Sequence, residues 1–255
     1  MKMINTRWTF ALALTLSLIT LLTAGCENCP CLSSKKEPAK DDSKMSAPPA
    51  PKADPNVVTL FDGKTMGNWK PTNFGGEGEV EIKDGTMIIH LGAPISGVTW
   101  QGQPPAKVNY EISLEAQRVD GTDFFCGLTV PVKDTSVSLI CGGWGGGVTG
   151  LSSLDGIDAS ENETTGYLTY ENGKWYKIKV QVLDTRIRAW VNGEQVVNVD
   201  TTEKRIDVRI EVELSKPLGI ATFQTTGAYR NIEFRKLTAE QVKAAIAEAK
   251  KAESP

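Results

Sequence analysis

Between Val108 and Gln117 the chain alternates without interruption. Val108, Tyr110, Ile112, Leu114 and Ala116 are apolar or aromatic, and Asn109, Glu111, Ser113, Glu115 and Gln117 are polar. A period of two fits an extended strand with one face in a core and the other toward water. One-sided burial of this kind belongs to antiparallel sheets. Lys174–Leu183 repeats the pattern with Tyr176, Ile178, Val180 and Val182 inward. Val208–Leu214 repeats it with Arg209, Glu211 and Glu213 on the polar face. Asp84-Gly85 separates the strands Glu79–Lys83 and Thr86–Leu91, and Asn192-Gly193 separates Arg186–Val191 and Glu194–Val199. Both dipeptides favour two-residue hairpin turns. Val57–Phe61, Phe124–Val130, Ser136–Cys141, Pro217–Gln224 and Ala228–Leu237 complete an all-β set. Short strands punctuated by turns imply a sandwich of two sheets.

The flanks divide the chain further. Lys2 and Arg7 precede the apolar run Trp8–Leu22, and Thr23-Ala24-Gly25-Cys26 follows. This resembles a bacterial lipoprotein signal, which implies cleavage after residue 25 and lipid on Cys26. Residues 26–56 are rich in Pro, Lys, Ser and Ala and form an expected flexible tether, with Cys29 and Cys31 unassigned. Residues 57–237 form the sandwich. Residues 238–255 form a helix and tail, opened by a capping box of Thr238 and Gln241. Val242, Ala245, Ile246 and Ala249 make a thin apolar stripe on that helix. The stripe is expected to pack lightly or to offer a face to an envelope protein partner. The expected location is the bacterial cell envelope, exported and held to the membrane by the N-terminal lipid.

The net charge of −3 offers no basic footprint for nucleic acid. The single histidine, His90, excludes a multi-histidine metal site. Its place at the end of a strand fits a structural role better than a catalytic one.

Six glycines fall between Gly142 and Gly150, with Trp144 among them. So many glycines call for positive φ or close backbone approach. The expectation is a bent strand running into a loop at the mouth of the sandwich. Asp155, Asp158, Glu161, Asn162 and Glu163 follow at once. Asp155 and Glu161 are the expected acid and base, with Arg209 or a bound cation stabilising an oxyanion. Trp144, Asp158, Asn162, Glu163 and Trp190 are expected to bind substrate, and Trp100 is a further aromatic for stacking on a sugar. Asp155, Asp158 and Glu161 also supply hard oxygen ligands for calcium. Cys126 and Cys141 lie at equal distances from the expected turn at Lys133-Asp134, so they should face each other and are expected to form a disulfide.

Three patches resemble the 3-keto-disaccharide hydrolase domain family: Thr59-Leu60-Phe61-Asp62-Gly63-Lys64 with Trp69-Lys70, then Gly173-Lys174-Trp175-Tyr176-Lys177 with Val191-Asn192-Gly193, then Gly219-Ile220 with Tyr229-Arg230-Asn231-Ile232. The resemblance implies a concanavalin A-like jelly roll and cleavage of glycosides oxidised at C3. It also implies a strand presenting Glu and Gln to the concave face. With Asp155 matched to the final Asp of that strand, Gly150 and Ser152 stand in their places. The expected function is therefore carboxylate cleavage of a (3-keto-)glycosidic bond. The alternatives are a carbohydrate-binding domain without catalysis and an envelope scaffold.

Overall fold

The structure is a computed structural model that describes residues 54–253. The expected signal, the tether up to residue 53 and Cys26, Cys29 and Cys31 lie outside the described residues. Among the described residues no helix is long and apolar enough to cross a membrane.

Fifteen strands form two antiparallel sheets. In chain order they are β1 (Val57–Phe61), β2 (Trp69–Pro71), β3 (Val80–Lys83), β4 (Thr86–Ile89), β5 (Ile95–Trp100), β6 (Tyr110–Gly121), β7 (Cys126–Val132) and β8 (Thr135–Gly143). Then come β9 (Val148–Ser152), β10 (Gly166–Tyr167), β11 (Trp175–Val182), β12 (Arg186–Val191), β13 (Glu194–Asp200), β14 (Gly219–Phe223) and β15 (Thr225–Lys236). One sheet runs β13-β12-β11-β6-β15-β4-β3, with β1 also on β15. The other runs β10-β9-β8-β7-β14-β5-β2. Most strands follow the alternation read above. Tyr110, Ile112, Leu114 and Ala116 of β6 are buried, and Glu111, Ser113, Glu115 and Gln117 are half-buried on the other face. The strand starts two residues late because Asn109 has φ +56°.

The core lies between the sheets, where Phe61, Trp69, Tyr110, Phe125, Tyr229 and Phe234 are fully enclosed. Each large apolar side chain buried there contributes about 1.5–3 kcal/mol. The polar atoms of the buried rings find carbonyl partners, as they must in such a site. Trp69 Nε1 donates to Leu60 O at 3.0 Å, and the Tyr110 hydroxyl to Pro131 O at 2.6 Å.

Four expectations change. Val208–Leu214 is not a strand: Ile210–Ser215 is a 3-10 helix, with Val212 N bonded to Arg209 O and Lys216 N to Glu213 O. Val208, Val212 and Ser215 are buried while Ile210 and Leu214 are exposed, a turn spacing and not a period of two. The segment crosses the outer face of β5 and β14 instead of running along a sheet edge, so no strand is available to pair with it. The glycine-rich stretch is not one bent strand either. It is the β8–β9 hairpin, closed by a turn from Gly143 to Gly146 with Trp144 at φ +48° and Gly145 at φ +86°. With Gly146 at φ +113°, three positive φ values in succession reverse the chain over the four residues between the strands.

Cys126 and Cys141 do face each other across β7 and β8, but both are free, buried thiols, not a disulfide. Opposition brings two Cβ atoms near each other without setting the torsion a disulfide requires. Here they pack as small core groups. Finally, the helix α1 (Ala239–Glu253) keeps its capping box, with Thr238 N donating to Gln241 Oε1 at 2.8 Å. Its apolar stripe is not free for a partner. Ala245 and Ala249 are buried, and the carbonyls of these two residues accept from Arg188 and Asn198 on the helix's own domain.

Candidate functional site

The outer face of the second sheet is built from two rows of small side chains. Pairing aligns Gly97, Ala221, Gly127, Ile140 and Gly150 across five strands. The adjacent row is Thr99, Gly219, Thr129, Ser138 and Ser152. A floor of glycine and short hydroxyls lets other backbone lie close on it. The 3-10 helix covers one part, with Thr99 Oγ1 donating to Leu214 O at 2.8 Å. The loop after β9 covers another: a Cβ on Gly150 would stand 2.8 Å from Thr164 O and 3.2 Å from Ala159 O. The ring of Phe124 lies over Gly127.

Between these covers a small open cleft of about 200 Å³ remains. Ile95, Phe124, Ile140, Val212 and Phe223 make its apolar lining. Ser138 and Ser152 rise from the floor, and Asp123, Trp144, Arg209 and Glu211 stand around the mouth. Trp144 is 43% exposed, enough to offer a flat face, and the Arg209 guanidinium carbon lies 5.9 Å from its ring centroid.

Arg209 is the electrostatic centre. Its Nη1 pairs with Asp158 Oδ2, and its Nη2 and Nε donate to Glu211 at 2.7 and 3.1 Å. The Arg209 hydrogen bonds hold the Glu211 carboxyl below its ordinary range, and those same bonds raise the guanidinium pKa. Asp158 Oδ1 accepts from Ser152 Oγ at 3.2 Å. Asp123 accepts from Phe124 N at 2.7 Å and from Gly145 N at 3.0 Å. Asp123 and Glu211 line the cleft, Asp158 stands behind Ser152 and Arg209, and each of the three has a donor from the protein.

The expected site residues divide accordingly. Trp144, Asp158 and Arg209 come together. Asp155 does not join them: with Gly156 it forms a positive-φ hairpin turn between Leu154 and Ile157. Its Oδ1 accepts from Arg205 N at 2.8 Å and its Oδ2 lies 3.6 Å from Lys204 Nζ. Glu163 turns to the same lysine at 2.7 Å. Glu161 is exposed and is not part of the lining. Asn162 is a loop staple, donating to Leu151 O at 2.7 Å and Ile157 O at 3.0 Å while its Oδ1 receives Thr164. Trp190 lies on the outer face of the other sheet under Lys179 and Arg188. Trp100 packs edge-on against buried Trp69 at 5.3 Å. His90 bonds Glu81 at 3.0 Å, outside the cleft. The calcium expectation also changes. Asp155 turns to Lys204 and Arg205, and Asp158 to Ser152 and Arg209. Among the described residues no three Asp, Glu, His or Cys groups gather around one point.

Sequence reasoning missed Glu211, Asp123 and the aromatic wall of Phe124 and Phe223. Glu211 carried a visible signal, since it shares a face with Arg209 in the alternating reading. Asp123 had none, because its partners lie on a distant hairpin.

Two antiparallel sheets with one small-residue face define the class: this is a concanavalin A-like jelly-roll sandwich. The chain belongs to the 3-keto-alpha-glucoside-1,2-lyase-like domain family, whose profile matches residues 56–235. The family is one of carbohydrate-active domains. No curated protein sequence matches the chain. Among solved structures, a Parabacteroides distasonis protein classed as a candidate glycosyl hydrolase is similar at 15% identity and a TM-score of 0.50, covering 72% of this chain and 95% of that one. A Crh5 transglycosylase in complex with NAG is similar at 8% identity and a TM-score of 0.50, covering 72% and 84%. At such identities the likeness is one of fold.

Proposed function

We propose that the domain binds a carbohydrate in the cleft between Trp144 and Arg209, and that it recognises the sugar without cleaving it. Trp144 offers a flat apolar face for the C–H side of a pyranose ring. Asp158, Glu211 and Asp123 accept hydroxyl hydrogens, and Arg209 donates to a hydroxyl or carbonyl oxygen. The observation that carries the reading is the pairing of Asp158 and Glu211 with Arg209, which orients both carboxylates and leaves each a lone pair for a sugar hydroxyl. A carboxylate takes up a proton less readily with a cation or fixed N–H donors against it. Asp158 and Glu211 are held by Arg209, and Asp123 by two backbone N–H groups. The positions matched to the family's Glu and Gln are Gly150, whose side-chain space is filled by backbone, and Ser152, which holds Asp158.

Family membership favours a second reading, cleavage of a 3-keto-glycoside. A keto group at C3 acidifies the C2 hydrogen. Asp158 would take that proton, Arg209 would hold the enolate oxygen, and the C1 substituent would leave with the electron pair. For this, Asp158 must first exchange its bond to Arg209 for one to the substrate. Incubation of the full-length protein with a 3-keto-glucoside separates the readings. Binding without release of the C1 group is expected. Repeated turnover that disappears in Asp158→Asn would establish cleavage instead.

The domain is further proposed to act in the cell envelope, anchored by lipid on Cys26. Metabolic labelling with a palmitate analogue should mark the wild-type protein and not Cys26→Ser. Equal labelling of both would refute the anchor.

A further inference from the structure

We infer that Arg118 is a positioning residue for the cleft, and that its buried guanidinium fixes the turn presenting Trp144. Arg118 lies on β6 and is 5% exposed. Its Nη2 donates to Gly146 O at 2.9 Å, and its guanidinium carbon sits 5.5 Å from the Phe125 ring centroid. Its Nε is buried without a partner, and the charge of nearby Asp123 only partly offsets the burial. A buried cation so incompletely matched costs stability. Burial correspondingly pulls its pKa down.

The glycines of the hairpin are shaped around this group. A Cβ on Gly142 would stand 2.9 Å from Arg118 Nη2, and one on Gly146 would stand 3.1 Å from Nη1. Both residues also have positive φ, +78° and +113°. Two clamps then grip the turn just after Trp144. Arg118 holds the carbonyl of Gly146, and Asp123 Oδ2 holds the N–H of Gly145 at 3.0 Å. Trp144 precedes these two residues in the same turn. Its backbone is set by neither of its own polar groups but by the bonds of the glycines that follow it. A flat stacking platform is useful only at a fixed angle, so the guanidinium acts on the ligand through Trp144.

The inference rests on the carbohydrate-binding reading of the cleft, but its first readout needs no ligand. In 15N-labelled protein the Trp144 indole N–H resonance is identified by its loss in Trp144→Phe. In Arg118→Met that resonance should shift or broaden, while the indoles of Trp69, Trp100, Trp175 and Trp190 keep their positions. Affinity for a 3-keto-glucoside probe should fall roughly tenfold, equivalent to about 1.4 kcal/mol, with no further loss when Trp144→Ala is added. Arg118→Lys keeps the charge but loses the fork, and it gives the same readout if the methionine variant does not fold. A shifted Trp144 indole in Arg118→Met, with no sugar binding by the wild type, would leave the positioning role standing and remove the function assigned to the cleft. An unmoved Trp144 indole in a folded variant with a lowered melting temperature would reduce Arg118 to a packing residue and overturn the inference.

Discussion

Arg209 joins Asp158 and Glu211 into one ionic cluster at the mouth of the cleft. Removing it would leave two carboxylates facing each other without a cation, and would take away the one strong donor of the site. Arg209→Met is expected to weaken sugar binding tenfold or more, about 1.4 kcal/mol or above. Its melting temperature should change little, because Arg209 and Glu211 are both more than a third exposed and solvent screens their pair. Calorimetric titration beside a thermal melt separates the two effects. A second cluster reports on acid stability. Arg230 donates to Glu115 at 2.9 and 2.6 Å, Asn231 adds a bond at 3.2 Å, and these hold the Glu115 carboxyl below its ordinary value of 4.5. A depressed folded pKa adds stability above the unfolded value, and that stability is lost as pH falls through the folded one. Urea midpoints should therefore drop more steeply below about pH 4.5 in the wild type than in Glu115→Gln. Single residues were the hardest scale to read in the sequence. Asp155 reads as a catalytic group from its acidic neighbours, although Asp155-Gly156 is the same turn dipeptide as Asp84-Gly85, and the structure gives both pairs positive φ.

Elements written by local pattern were legible. The Asn192-Gly193 hairpin, the β6 alternation and the capping box at Thr238 each depend on neighbours a few residues away. The 3-10 helix was not, because Val208 to Leu214 carries alternating residues that no sheet edge receives. Nor was the docking of α1, whose partners Arg188 and Asn198 are distant in the chain. The Arg188 side chain is 3% exposed and donates to both Ala245 O and Glu248. Removal of the chain from Ala239 onward should cost about 1–3 kcal/mol, because the bonds of Arg188 and Asn198 to the helix and the burial of Ala245 and Ala249 are lost. Chemical denaturation measures it, and an unchanged midpoint would show that the helix is not part of the folded unit. The loop over β9 makes a similar demand. Gly150→Val would press against Thr164 O and Ala159 O, so a loss of about 1–3 kcal/mol is expected in the same assay.

At the scale of the molecule, two sheets enclose one core, and the outer face of the second sheet is mostly roofed by the chain itself. The sandwich followed from strand count and turns. The roof did not, because it depends on which strands become neighbours and on glycines and short hydroxyl residues aligning across five of them. The cleft is what that roof leaves open, and the carbohydrate assignment depends on it. The direct test is isothermal titration of the wild-type protein and Trp144→Ala with a 3-keto-glucoside and its unoxidised parent. The account expects a saturable heat with at least one sugar in the wild type, weakened about tenfold, or 1.4 kcal/mol, when the indole is removed. Equal binding by both proteins, or heat from neither sugar, would contradict it.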